Sequence, residues 1–313
     1  MRAQSVSVFA SFSGGCLVSA LALALAGASV GCGSNAPAVF PQHLDIPVAP
    51  TASPSQARAG PEPRPPAPPA PAAPKGDPSH PPVEALTVSP AAAAIVAAAD
   101  RADDDRALDA GRHPGELLTF LDLSPGMHVA EVVAGTGYTT ELLARAVGAK
   151  GKVWAENPPD FLKFVGAPYK ERLAKPAMKS VVRADREIAS PFPADVKNLD
   201  AVVSVLVYHD TVWLGIDRDK MNKAVFDALK KGGEYVVVDH SAAEGHGLDD
   251  VKTFHRIEEA TVTREVLQAG FERATGANFL RNPEDARDWN DSPKVAAERR
   301  GTSDRFVLKF VKP

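Results

Sequence analysis

The sequence predicts an α/β fold of three layers, with a doubly wound, mostly parallel sheet of seven strands between helices and an antiparallel strand at the chain's end. Three observations predict it. Apolar runs without a polar face alternate with helical patterns from residue 128 to residue 239, as buried parallel strands and their covering helices require. A glycine-bearing stretch, AEVVAGTGYTTELL, joins the first apolar run to a helical pattern. Residues 271–280 and 305–311 then read as two strands with too little helix between them for a crossover, so one of them enters the sheet antiparallel.

Before that body lie two segments of different character. Residues 1–31 carry an early arginine and an apolar run over 17–30, too short to span a bilayer, and read as a signal peptide. The run ends in Ser29-Val30-Gly31-Cys32, which resembles the lipobox of bacterial lipoproteins; ordinary cleavage near Ala24-Leu25-Ala26 is the alternative. Lipidation of Cys32 would hold the protein at a membrane surface on the exported side without a spanning helix. Both cysteines, Cys16 and Cys32, fall in this leader, so the folded body has no thiol to pair. Residues 32–83 are crowded with proline and alanine and read as a disordered tether. The folded body occupies 84–313. Its net charge contribution is unremarkable: the chain carries −4, and no basic stripe interleaved with aromatics points to a nucleic acid.

Within the body, Ser89-Pro90 starts a helix that the alanine-rich pattern carries to Gly111, and a second helix fits 114–121. Together, residues 84–123 form a helical lid. Asp103-Asp104-Asp105 read as a solvated helix face, and Arg101 as a surface ion-pair partner. Strands follow at 128–132, 152–155, 180–184, 199–205 and 234–239, with helices at 140–147, 160–173 and 217–229 and a turn at Lys231-Gly232-Gly233.

Four acidic residues end strands (Glu131, Glu156, Asp185, Asp239), one glycine loop follows the first strand, and LKKGGEYVVVD precedes the terminal strand pair. This order resembles the class I S-adenosylmethionine-dependent methyltransferases, a Rossmann-like fold, over roughly residues 118–312. PGMHVAEVVAGTGYTTELLA, VYHD, VVVDHSA, FHRIEEATV and DRFVLKF are similar to a bacterial group of predicted methyltransferases. A dinucleotide-binding domain is the competing reading of a lone glycine loop, and the terminal strands favour the methyltransferases. The resemblance implies S-adenosylmethionine as cofactor, with Glu131 facing its amino end, Glu156 accepting the ribose hydroxyls, Asp185 near the adenine, and Gly135, Gly137 and Tyr138 along its path. Val133 stands where the family pattern places its first glycine, and a branched side chain there narrows the loop.

Histidines and carboxylates gather after the fourth and fifth strands. Methyl transfer needs positioning and, for a hydroxyl or amine acceptor, a base, so His209 is the first candidate with Asp210 orienting it and His240 the second. Arg112, His255 and Arg256 are candidates for binding a small-molecule acceptor. Each histidine has a structural reading as a loop cap. A cluster of Asp210, Asp239, His240 and His255 would also suit a divalent ion, but no ligand spacing is diagnostic and no metal is assigned. An exported protein meets little of a cytosolic cofactor. The alternative function is therefore a lipoprotein with this fold that binds a ligand without catalysis.

Overall fold

The structure is a computed structural model that describes residues 86–313; the expected leader, Cys32 and the tether lie outside the described residues. Three helices come first: α1 (Pro90–Val96), α2 (Asp103–Arg112) and α3 (Pro114–Leu121). Ser89 caps α1, its hydroxyl accepting from the Ala92 amide at 3.2 Å. The single helix expected over 90–111 is broken across 97–102. Arginines take the carbonyls that would have continued it: Arg101 donates to Val96 O at 2.8 Å and Arg106 to Ala98 O at 2.6 Å. Arg101 also grips Asp109 with two bonds of 2.7 Å and is buried, so its expected surface role is corrected. Of the expected solvated acidic face, Asp103 and Asp104 are exposed, whereas Asp105 is buried and holds Arg172 at 2.6 and 2.7 Å.

The alternating part runs β1 (His128–Val132), α4 (Tyr138–Val147), β2 (Lys152–Asn157), α5 (Pro159–Leu173), β3 (Val181–Asp185), β4 (Leu199–Val205), α6 (Tyr208–Trp213), α7 (Arg218–Ala228) and β5 (Leu229–His240). Then come α8 (Val251–Phe254), α9 (Glu259–Gln268), β6 (Glu272–Ala277), α10 (Pro293–Ala296) and β7 (Arg305–Val311). β5 begins earlier than residue 234 because the expected turn is absorbed as an irregularity: Leu199 pairs with Leu229 and Ala201 with Glu234, while Gly232 takes φ 73° between them.

The seven strands lie in the order β3-β2-β1-β4-β5-β7-β6. β7 runs antiparallel to both neighbours and the rest are parallel, as the chain's last two apolar runs predicted. Side chains alternate between two cores. Ala130, Val132, Val202, Tyr235 and Val237 face one layer with Met221, Val225 and Val262. Val129, Val203, Val236 and Val238 face the other with Leu117, Leu143 and Val147. Each such buried aliphatic contributes about 1.5–3 kcal/mol, and coverage on both faces explains why these strands carry no polar alternation. The chain winds outward from β1 through β2 to β3, then returns to β4 and β5. Strand order therefore reverses between β1 and β4, and a crevice opens beyond their carboxyl ends.

Candidate active site

A pocket of about 540 Å3 of empty volume, its open mouth included, lies at that reversal. Its wall combines Glu131 from β1, the loop residues 133–136, Tyr138 and Thr139 from α4, Phe161 and Val165 from α5, residues 205–207 after β4, Asp210 from α6, and Arg112 from the end of α2.

The loop conformation explains its composition. Gly135 and Gly137 have φ 59° and 86°, the left-handed region that a side chain disfavours. At Gly137 a Cβ would also stand 2.8 Å from Arg172 Cδ. Asn157 clamps Gly135 from the end of β2, accepting from its amide at 2.8 Å and donating to its carbonyl at 3.0 Å. Val133 has φ 57° as well. A β-branched residue there is strained by roughly 1–2 kcal/mol, so the backbone keeps the glycine geometry although the glycine is gone. Val133→Gly is therefore expected to be more stable than Val133→Ala, by about 1 kcal/mol in urea unfolding, the reverse of the usual order. Alanine matching or exceeding glycine would mean that no such strain exists.

Glu131 is buried, and Thr140 Oγ1 donates to its Oε2 at 2.5 Å. Burial pushes its carboxyl up to about 8, against the hydroxyl bonds and the fields of Arg112 and Arg172. Glu156 is wholly buried behind the loop and does not line the pocket. Its Oε2 accepts the Val133 amide at 2.9 Å, and its Oε1 has no hydrogen-bond partner. Tyr138 donates its hydroxyl to Asp109 at 2.7 Å, and the Arg112 guanidinium lies 4.5 Å above its ring. Burial pulls the Arg112 pKa down to about 10.

Helix α2 is thus stitched to the glycine loop. Arg172 of α5 bridges Asp105 of α2, Glu141 of α4 and the Thr136 carbonyl. Sequence reading missed Arg172, Asn157, Thr140, Phe161 and Val165; only the position of Thr140 one helical turn into a helix after a glycine loop offered a local signal.

After β4, His209 sits on α6 with 1% of its surface exposed. Its partner is Asp239 at the end of β5 rather than Asp210 alone: Nδ1 lies 2.7 Å from Asp239 Oδ1, and its amide donates to Asp239 Oδ2 at 2.7 Å. Asp210 lies on the other side, 3.3 Å from Nε2. Burial opposes charge on this ring, yet Asp210 and Asp239 outweigh it and hold the imidazole well above its usual pKa. Of the pair, Asp210 lines the pocket and His209 does not. His255 packs edge-on against the His209 ring, with centroids 5.4 Å apart.

The remaining candidates lie elsewhere. His240 faces a neighbouring cavity with Asp291 and Arg305, its Nδ1 2.9 Å from Ser303 Oγ, and burial lowers its pKa. Asp185 is outside the pocket and pairs with Arg183 at 2.5 Å. Arg256 is wholly buried, bonded to Asp285 at 2.8 Å and to the carbonyls of Ser241 and Trp289, so it faces the protein rather than the pocket.

A family model described as protein-L-isoaspartate(D-aspartate) O-methyltransferase matches residues 108–271, a little over half of the 313-residue chain. The chain belongs to this family. Among curated proteins it is 26% identical over 130 residues to the ubiquinone/menaquinone biosynthesis C-methyltransferase UbiE of Idiomarina loihiensis, covering 42% of this chain and 49% of the other. The chain thus spans about half the length of that relative. Among solved structures it is similar to an S-adenosylmethionine-dependent methyltransferase from Aquifex aeolicus, with 18% identity, 67% of this chain and 97% of that one covered, and a TM-score of 0.47. A putative sarcosine dimethylglycine methyltransferase from Galdieria sulphuraria gives 13% identity, coverage of 67% and 87%, and a TM-score of 0.48.

S-adenosylmethionine is the cofactor of this methyltransferase family member, and the residues present fit it. The left-handed glycines allow close backbone approach, and Glu131 offers a carboxylate to a cation.

Proposed function

We propose that this protein methylates an oxygen of a small-molecule acceptor held beside Asp210. The observation that carries the reading is the placement of Asp210 in one pocket with Glu131 and the glycine loop, at the point where strand order reverses. The family description supports an oxygen acceptor.

When bound, the cofactor supplies an electrophilic methyl group on a cationic sulfur. The chain's own residues do the rest by positioning and charge. Glu131 ionises to hold the amino end, Glu156 accepts ribose hydroxyls once the loop over it shifts, and Arg112 at the end of α2 attracts an acidic group of the acceptor. Asp210 takes the proton that the acceptor oxygen sheds as its lone pair bonds to carbon. His209, fixed by Asp239, positions Asp210. This arrangement reverses the two roles that the sequence suggested for His209 and Asp210.

Calorimetric titration of the full chain with S-adenosylmethionine and S-adenosylhomocysteine tests the reading. Glu131 is neutral below about pH 8 in the free protein, whereas a bound cation favours its charged form, so binding releases a proton. Affinity is therefore expected to climb between pH 6 and 8, by at most about tenfold per unit, and Glu131→Gln should flatten the climb. An absence of binding at millimolar ligand would sink the proposal.

A further inference from the structure

His209, Asp210 and His255 each bring one ligand atom to a common point, all within 4.8 Å of one another. The individual separations are 3.3 Å for His209 Nε2 to Asp210 Oδ1, 3.4 Å for His209 Nε2 to His255 Nδ1, and 3.8 Å for His255 Nδ1 to Asp210 Oδ1. Nitrogen and oxygen ligands about 2.1 Å from a tetrahedral ion stand about 3.4 Å apart. The three atoms therefore outline one face of such a polyhedron.

The surroundings match what a metal-binding histidine requires. Asp239 receives the Nδ1 side of His209 at 2.7 Å and is itself held by the amides of His209 and His240 at 2.7 and 2.8 Å. A carboxylate fixed in that way orients the imidazole and leaves Nε2 directed at the common point. His255 is held independently. Its backbone has φ 54° as it ends α8, a conformation that non-glycine residues adopt at a cost, and its ring stacks on Trp213 with centroids 5.7 Å apart and planes 26° apart. α6 and the end of α8 supply the ligands, and β5 supplies the carboxylate that holds His209 Nδ1.

We propose that His209 Nε2, Asp210 and His255 Nδ1 bind one divalent first-row transition ion of the zinc or cobalt type. Two imidazoles and one carboxylate suit such ions better than magnesium or calcium, which favour all-oxygen shells. Three protein ligands are the number that catalytic zinc sites use, with water or a substrate atom in the fourth place. Asp210 also walls the cofactor pocket, so, resting on the methyltransferase reading, the ion bound at Asp210 Oδ1 would hold the acceptor oxygen while the second carboxylate oxygen takes its proton.

Cobalt titration of the chelator-treated full chain tests the site, with Cys16 and Cys32 alkylated to remove their thiols. The expected result is one equivalent bound, with visible d–d bands and quenching of Trp213 fluorescence that Trp213→Phe removes. His255→Ala, at a partly exposed position, should weaken cobalt binding at least about tenfold while its circular dichroism melt shows a retained fold. No d–d bands, or unchanged affinity in His255→Ala, would overturn the site. S-adenosylmethionine titrated into the same sample separates the two claims. Cofactor binding without cobalt binding removes only the metal, whereas cobalt binding without cofactor binding leaves the metal site and removes the methyl-transfer reading.

Discussion

Glu156→Gln is expected to lower the affinity for S-adenosylmethionine about a hundredfold while leaving the fold intact. The carboxyl is wholly buried, with Oε2 taking the Val133 amide at 2.9 Å and Oε1 without a hydrogen-bond partner. Leaving a buried polar atom unpaired costs roughly 1–3 kcal/mol, and a ligand that supplies the missing donor recovers it. Two ribose hydroxyls can both donate to a carboxylate. Glutamine offers a single acceptor oxygen, already needed by Val133, and turns an N–H toward the hydroxyls. Losing bonds to a charged acceptor is worth about 1.5–3 kcal/mol, which at its upper end is a hundredfold in Kd. Burial raises the Glu156 pKa well above the usual carboxyl range, which disfavours charge at this position, and glutamine has the same shape, so it should match the native stability within about 1 kcal/mol. Calorimetry with a parallel thermal melt checks both parts. Affinity within threefold of the native protein would place the ribose elsewhere.

Much of the sheet was legible because its strands are buried on both faces. Residues 201–203 and 235–238 are apolar without alternation, and a parallel sheet under two helical layers buries such runs. The antiparallel β7 followed from a connection too short for a crossover. Other elements depend on partners distant in sequence. α6 forms because Tyr208 is seated by Asn222 at 2.8 Å and Glu265 at 3.0 Å, contacts that no local pattern announces. α9 carries a local signal, since Val262 and Val266 lie four apart before Gly270 with φ 102°. The site divides in the same way. The positions of Glu131, Gly135 and Tyr138 follow from strand, loop and helix in sequence. The pairing of His209 with Asp239 spans thirty residues and depends on β4 and β5 lying side by side. Arg256 shows the limit of composition: a charged residue in a suggestive segment can be fully engaged by the protein, as Arg256 is by Asp285.

Asp239→Asn is expected to destabilise the protein by about 3–5 kcal/mol, a larger loss than for any exposed charge. Asp239 is inaccessible to solvent and accepts three hydrogen bonds, from the His209 amide at 2.7 Å, His209 Nδ1 at 2.7 Å and the His240 amide at 2.8 Å. Its two oxygens face donors only. Asparagine presents one oxygen and one NH2 group, so whichever way the amide turns, at least one donor meets a donor in a space with no water to intervene. The repulsion falls on the first turn of α6 and on the joint between β5 and the following loop, which together carry His209, Asp210 and His240. Both stability and the site should therefore fail in one step: urea unfolding should show the lost free energy, and turnover should fall further than unfolding alone accounts for at low denaturant. Asp239→Glu would retain the charge but move the carboxylate by a methylene, and overpacking costs about 1–3 kcal/mol, so it should be the milder variant in stability. If Asp239→Asn were as stable as the native protein, the carboxylate would not be the group that holds His209 in place, and the assignment of Asp239 as its positioning partner would fall with it.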